Sequence, residues 1–125
     1  MNSAILIGTL NSPASNRLLP SGLRVTEFEL NVARPGERQD VIPVVFNDAP
    51  ASLTSLDVDA SVLVVGRVRR RFFRSADHIQ SRTEVLAESV TLTRHRKRAC
   101  RVLGEAVAGL ELAIEDRIAP MSQVG

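Results

Sequence analysis

The sequence predicts an all-β domain folded as a small closed barrel. Three features of the 125 residues indicate it: five segments have the alternating or continuous apolar character of strands, turn-forming residues separate them, and one short helical segment lies between the third and the fourth. A Greek-key barrel matches this pattern more closely than a seven-stranded sandwich or a βαβ fold. The predicted architecture is the five-stranded OB-fold.

The first three strands are marked by their periodicity. Residues 3–10 are largely apolar, and Gly8 within them indicates a bulge or the close approach of another backbone. After a Pro-Ser-Gly turn at 20–22, residues 25–32 alternate between two faces, as a half-buried strand does. Residues 41–46 follow a polar loop and form the third strand.

A short helix and two further strands complete the predicted barrel. The helix covers residues 51–56. The fourth strand is long, residues 62–73, and Gly66 interrupts it. The fifth strand covers residues 83–92.

The pattern changes beyond His95, where apolar residues recur at helical spacing with acidic residues between them. An amphipathic C-terminal helix that ends before Pro120 is expected, and it should need a surface to pack on, because its two glycines each lower helix propensity by about 1 kcal/mol. The chain divides into an OB-fold domain at 1–94, a basic segment and helix at 95–119, and a short tail at 120–125.

Composition describes an ordinary globular chain, with 44% hydrophobic and 24% charged residues. Collagen, disordered chains and small disulfide scaffolds are excluded. No apolar run exceeds four residues, so no membrane-spanning segment is expected. The N-terminus lacks the pattern of a secretory signal, and the single cysteine, Cys100, has no partner for an internal disulfide. These features predict a cytoplasmic protein.

The net charge of +2 hides a strong asymmetry along the chain. Residues 1–66 and residues 102–125 each carry a net charge of −3, whereas residues 67–101 carry eleven cations against three acids, a net +8. Such a basic segment indicates a polyanionic partner, either a nucleic acid or an anionic membrane surface. The alternative is a charged face that is merely solvated.

The segment 66–74 is the most informative one, because strand periodicity decides where its side chains point. If Val64 and Val68 face the core, an aromatic ring lies in line with three outward guanidinium groups, unless a kink at Gly66 reverses the parity. Cations that follow phosphates and a ring that stacks on any base are what single-stranded nucleic acid binds. The same parity predicts a core position for Phe72. For Phe73 the alternative is likewise a core position, at the end of the strand. The outward residues are Arg67, Arg69, Arg71 and Phe73.

Five segments in order resemble a known family. They are NSAILIGTL at 2–10, LPSG at 19–22, VIPVVF at 41–46, VLVVGRVR at 62–69 and RTEV at 82–85. Together they resemble the bacterial single-stranded DNA-binding protein family over residues 2–93. The resemblance implies an OB-fold subunit in a homo-oligomer such as a dimer or tetramer. It also implies sequence-independent coating of single-stranded DNA in replication, recombination or repair. A protein with that activity is expected at the nucleoid.

The resemblance also implies binding residues. Phe73 matches a stacking tryptophan of the family and Phe46 a stacking phenylalanine, although the parity of Phe46 equally fits the core. Two other family aromatics are replaced, one by the Arg34-Pro35 pair and one by Asp40, so binding should depend more on phosphate contacts and on salt. The candidate binding residues are Arg34, Phe46, Arg67, Arg69, Arg70, Arg71, Phe73, Arg74 and Arg82.

The C-terminal part departs from the family, because the acidic, Phe-ended tip that recruits replication and repair proteins is missing. The departure suggests a paralogue, or a relative of the primosomal proteins built on the same fold. The basic run at 94–98 with Arg101 has three interpretations: contact with phosphates, pairing with a neighbouring subunit, or a solvated helix start. The helix itself is expected to cover the outward apolar residues Leu63 and Val65, or to form an oligomer interface.

Catalysis is not expected. His78, His95 and Cys100 lack neighbours at metal-ligand or nucleophile spacing, and no glycine belongs to a phosphate-binding loop motif, so neither a metal nor a cofactor is predicted. Two binding hypotheses remain: a subunit that binds single-stranded DNA, and an interaction module in which the arginines or the C-terminal helix bind a replication-restart protein.

Overall fold

The computed structural model describes the backbone of residues 1–122 and the side chains of residues 1–118. In that part of the chain no helix is long and apolar enough to cross a membrane. The elements in chain order are β1 (Ala4–Leu10), β2 (Ser15–Leu18), β3 (Arg24–Val32), β4 (Asp40–Asn47), α1 (Ala51–Thr54), β5 (Ser61–Ser75), β6 (His78–Leu92) and α2 (Arg96–Ser122).

The strands form one sheet in the order β1-β5-β6-β4-β3-β2, and the sheet closes into a barrel because β1 also pairs with β3. The β4–β6 pairing is parallel and the others are antiparallel. This Greek-key order, with a short helix before β5, confirms the predicted OB-fold. The extra strand, β2, was not predicted, because its four side chains are all exposed and leave no apolar periodicity.

The barrel interior is filled by aliphatic side chains and one phenylalanine. Alternation along β3 places Phe28 and Leu30 inside, as predicted, and β5 contributes Val62 and Val64, both fully buried. These side chains pack against Val44 of β4 in the same cluster. Burial of this apolar set is the main force that closes the barrel.

Two glycines allow backbones to approach closely. A Cβ built on Gly8 would overlap the backbone carbonyl of Asn31, where β1 crosses to β3, as the sequence predicted for this position. A Cβ on Gly66 would overlap the carbonyl of Leu86. The pairing shifts register at Gly66, and the extra residue is Glu88 of β6, so the parity along β5 is preserved.

The β5–β6 hairpin is longer than predicted, with 15 residues in each strand. Residues 78–82 have no apolar alternation that would mark them as strand, and they are held by antiparallel pairing with the end of β5. This end of the hairpin carries few buried side chains on either face. The predicted core position of Phe72 is therefore wrong, and its ring is 67% exposed.

Helix α2 contacts β5 and β6. On the outer side of β5, Leu63 and Val65 are buried, which agrees with the expectation that the helix covers them. The helix continues to Ser122, so the predicted end before Pro120 is wrong. Pro120 lies in the last turn, where its missing N–H costs the helix only one backbone hydrogen bond. The last three residues of the predicted tail, 123–125, lie outside the described residues.

The side chain of Asn2 continues the β1–β5 pairing beyond the Ala4–Gly66 pair, where β1 begins. Asn2 Nδ2 donates to the Val68 carbonyl at 2.6 Å, and the Val68 amide donates to Asn2 Oδ1 at 2.9 Å. We expect Asn2→Ala to lower the free energy of unfolding by about 1 kcal/mol, the loss typical of exposed hydrogen bonds. Urea denaturation measures it. Ser3→Ala is the control, and an equal loss in both variants would contradict the role of Asn2.

Candidate nucleic-acid interface

The predicted arginine stripe lies on the outer face of β5. Across the hairpin, Arg67 pairs with Leu86, Arg69 with Glu84, Arg71 with Arg82, and Phe73 with Gln80. Because Val62 and Val64 point into the core and the bulge lies in the partner strand, the parity argument holds. Val68 shares the core-facing parity but is 46% exposed, since it lies where the hairpin leaves the barrel.

A buried carboxylate lies within this stripe. The side chain of Glu84 is fully buried, and its two oxygens face two arginines. Arg71 Nε donates to Glu84 Oε1 at 2.8 Å, and Arg69 Nη2 lies 3.5 Å from Oε2. Both arginine side chains are 36% exposed. Part of the charge that the sequence assigned to phosphate binding is thus neutralised inside the protein.

The Glu84 site is not fully satisfied. Arg69 Nε and Glu84 Oε2 are buried and have no hydrogen-bond partner among the described residues. A carboxylate buried in this way depends on its cations, because leaving it unpaired is costly. Arg69 and Arg71 therefore have a structural role in addition to any role at the surface.

The two phenylalanines of the hairpin each lie beside a guanidinium group. The Arg71 guanidinium carbon lies 5.6 Å from the Phe73 ring centre, and that of Arg70 lies 5.7 Å from the Phe72 ring centre. Phe73 is 38% exposed and Phe72 is 67% exposed, on opposite faces of the hairpin. Phe72 was missed as a surface ring, although its parity neighbours, Arg70 and Arg74, are both charged.

The remaining arginines of the hairpin differ in their surroundings. Arg67 and Arg74 are exposed and form no ion pair within residues 1–118. Arg70 is also exposed, and its Nη2 donates to Ser81 Oγ at 2.9 Å. Arg82 is half-buried in a shallow pocket shared with the acidic side chains of β3. The arginines freest to bind phosphate are therefore Arg67, Arg70 and Arg74.

The other two candidates lie away from the hairpin. Arg34 is exposed, but it pairs with Glu37 at 2.9 Å and with Asp40 at 3.4 Å, so its charge is compensated within its loop. Phe46 lies on the core side of β4, half-buried and packed against the core. A base would reach its ring only at the rim of the barrel.

A groove on the outer face was not anticipated from the sequence. It has a volume of about 300 Å³. It lies between the β2 arm, which is β2 with the connection to β3 (residues 15–23), and the base of the β5–β6 hairpin. Its walls combine aliphatic side chains with a polar rim. The lining residues are Arg17, Leu19, Leu23, Val25, Val45, Asn47, Arg69 and Arg71.

The basic run after β6 is exposed at the start of α2. The first turn of the helix contains Arg96, Lys97 and Arg98 and no acidic residue. Cations at this end of a helix oppose its dipole and are stabilised by anions. No ion pair to Arg94, to this turn or to Arg101 occurs in the described part of the structure, which leaves the three interpretations of the run open.

The fold is similar to that of the N-terminal domain of the PriB protein from Thermoanaerobacter tencongensis, a structure solved as a dimer. The TM-score is 0.58 at 21% sequence identity, over 73% of this chain and 94% of that chain. The likeness supports the OB-fold, while membership of the single-stranded DNA-binding protein family stays a prediction. No protein-family model matches the sequence, and no curated protein does.

Proposed function

We propose that this protein binds single-stranded DNA without sequence preference. The observation that carries the proposal is the exposed ring of Phe73 in line with the outer arginines of β5. A ring at such a place stacks on any base, at about 1–3 kcal/mol per base, while the cations follow the phosphates. The DNA transactions that fit this activity are replication, recombination and repair.

The position of the stripe on the barrel supports the proposal. OB-folds bind oligonucleotides on the face of their second and third strands and on the adjoining loops. In this chain those strands are β3 and β4, because the short β2 is additional. Val45 of β4 lies beside Leu86 of β6, and Leu86 lies beside Arg67 of β5. The arginine stripe is therefore continuous with the usual binding face.

The arginines divide into two roles under this proposal. Arg67, on the face of Phe73, and Arg70 and Arg74, on the opposite face with Phe72, supply exposed charge for phosphates, so the DNA strand contacts both faces of the hairpin. Arg82 lies opposite Arg71 across the hairpin. Arg69 and Arg71 hold Glu84 and contribute their remaining charge to the face of Phe73. Since two rings on the hairpin replace a larger aromatic set, phosphate contacts should supply most of the affinity.

Three further expectations complete the proposal. The protein works as a homo-oligomer, a dimer or a tetramer, located with DNA in the cytoplasm, and it has no catalytic activity. Self-association is supported by exposed apolar side chains on β1 and α2, Ile7, Val107 and Ile114 among them.

A second candidate function is a protein-interaction module of the replication-restart type. It is favoured by the exposed apolar residues of α2, which include Leu112 and Ile118 on different sides of the helix. In that case the hairpin arginines would meet an acidic protein surface, and the ring of Phe73 would contribute little.

Fluorescence anisotropy of a labelled oligothymidylate separates the two functions. Titrations at about 50 and 200 mM salt should show affinity that falls steeply with salt, and duplex DNA should compete poorly. Phe73→Ala should weaken binding about 10-fold, as expected for one lost base stack. Gln39→Ala, an exposed change in the β3–β4 loop, is the control. Absence of binding at the lower salt would refute the proposal in favour of a protein partner.

A further inference from the structure

The groove between the β2 arm and the hairpin has the composition of a ligand site. Val25 and Val45 form its floor and are almost fully buried, although both lie on the outer face of the barrel. Leu19 and Leu23 add apolar walls. Pockets for flat organic groups have this character, a largely apolar lining with a few polar atoms that orient the ligand.

Asn47 supplies such polar atoms. It ends β4 directly opposite Val25, on the outer face, and it lines the groove. Within the described residues its side-chain amide forms no hydrogen bond, whereas the amides of Asn2 and Asn16 are each bonded to a backbone carbonyl. A carboxamide presents one donor and one acceptor side by side, and both are free here.

Charge decides what kind of molecule the groove receives. Three arginines surround it: Arg17, which pairs with Glu27 at 2.7 Å, and the two arginines that share Glu84. Three cations against two carboxylates leave a net positive rim above an apolar floor. An anionic group at the rim and an uncharged planar group in the interior match this arrangement, and a nucleotide has both.

We propose that the groove takes up one unstacked nucleobase of bound single-stranded DNA. The base packs on the partly exposed Leu19 and Leu23, above the floor of Val25 and Val45. The amide of Asn47 bonds to the edge of the base, and the adjoining phosphate faces Arg69 and Arg71. Every base carries a donor next to an acceptor on one edge, so the site accepts any base. The proposal rests on the proposed function and adds a base site distinct from Phe73, in a chain with four phenylalanines and no Trp or Tyr.

The test compares two labelled single strands of about 15 nucleotides, a length within the range one OB-fold covers. One is oligothymidylate and the other has the same sugar-phosphate backbone without bases. We expect Asn47→Ala to weaken binding of the thymidylate strand about fivefold, as for one net hydrogen bond, and to leave binding of the abasic strand unchanged. Gln39→Ala, which also removes an exposed amide, should change neither.

The Phe73→Ala background makes the test sharper. This variant should still prefer the thymidylate strand, and adding Asn47→Ala should remove most of the remaining preference. An equal loss for both strands in Asn47→Ala, or no loss for either, overturns the base site while DNA binding stands. If the unaltered protein binds neither strand, the proposed function itself fails and the base site with it. Urea denaturation of each variant checks that it is folded. We expect Asn47→Ala to be as stable as the unaltered protein, because Asn47 makes no side-chain hydrogen bond in the described structure.

Discussion

Replacing Arg67, Arg70 and Arg74 together by glutamine should lower the affinity for single-stranded DNA about 100-fold at low salt. Each neutralised phosphate on a single strand contributes about 0.7 to the slope of log K against log salt, so the slope should fall by about two. All three side chains are exposed, and none forms an ion pair among residues 1–118. Their loss should leave the fold intact.

The matched control removes the same charge elsewhere. Arg94, Arg96 and Arg98 are also exposed, and they lie at the start of α2 rather than on the hairpin. If the hairpin is the binding surface, glutamine at these three positions should change the affinity far less, in anisotropy titrations over a range of salt. An equal loss in both triple variants would show that overall charge, and not contact with the hairpin, determines binding.

The placement of the stripe could be predicted from sequence because it depends on alternation alone. The apolar residues Val62 and Val64 specify the inner face of β5, and the outer face of the following residues then follows. A kink at Gly66 would have reversed the parity, and the register between β5 and β6 does shift there. The shift is absorbed by Glu88 of the partner strand, which no pattern in β5 itself reveals.

The Glu84 pairing could not be predicted, because it depends on the register between two strands. Arg69 faces Glu84 only because the hairpin turns at residues 76 and 77, which sets the register from Ser75 and His78 onward. In the sequence Glu84 is one of three acids within the basic segment 67–101, and nothing marks it as buried. The sequence alone therefore predicts that every arginine of the hairpin is available to phosphates, although Arg69 and Arg71 pair with Glu84 within the protein.

The groove was missed for a related reason. Its lining comes from β2, the β2–β3 connection, β3, β4 and β5, so the aliphatic residues and Asn47 meet only once the barrel has closed. Val25 and Val45 have the outward parity of their strands and would be assigned to solvent. They are buried nonetheless, in a groove that they share with Leu19, Leu23 and three arginines.

The Glu84 site leads to the largest expected effect on stability. Arg71→Met keeps the apolar stem of the side chain but removes the guanidinium that contacts Glu84 Oε1 at 2.8 Å. Glu84 would then retain only Arg69, 3.5 Å away, for a fully buried carboxylate. Breaking a buried pair costs about 3–5 kcal/mol, and because Arg71 is partly exposed and Arg69 remains, we expect a loss of about 2–3 kcal/mol in the free energy of unfolding.

Urea denaturation of three variants distinguishes this structural role from a surface role. Arg74→Met, on the same hairpin, should change stability little, because Arg74 has no ion pair in the part of the chain described. Arg71→Met combined with Glu84→Leu should recover most of the loss, since an apolar replacement of a buried pair is often neutral or stabilising. If Arg71→Met is as stable as Arg74→Met, Glu84 does not depend on Arg71, and that guanidinium is free to bind phosphate with its full charge.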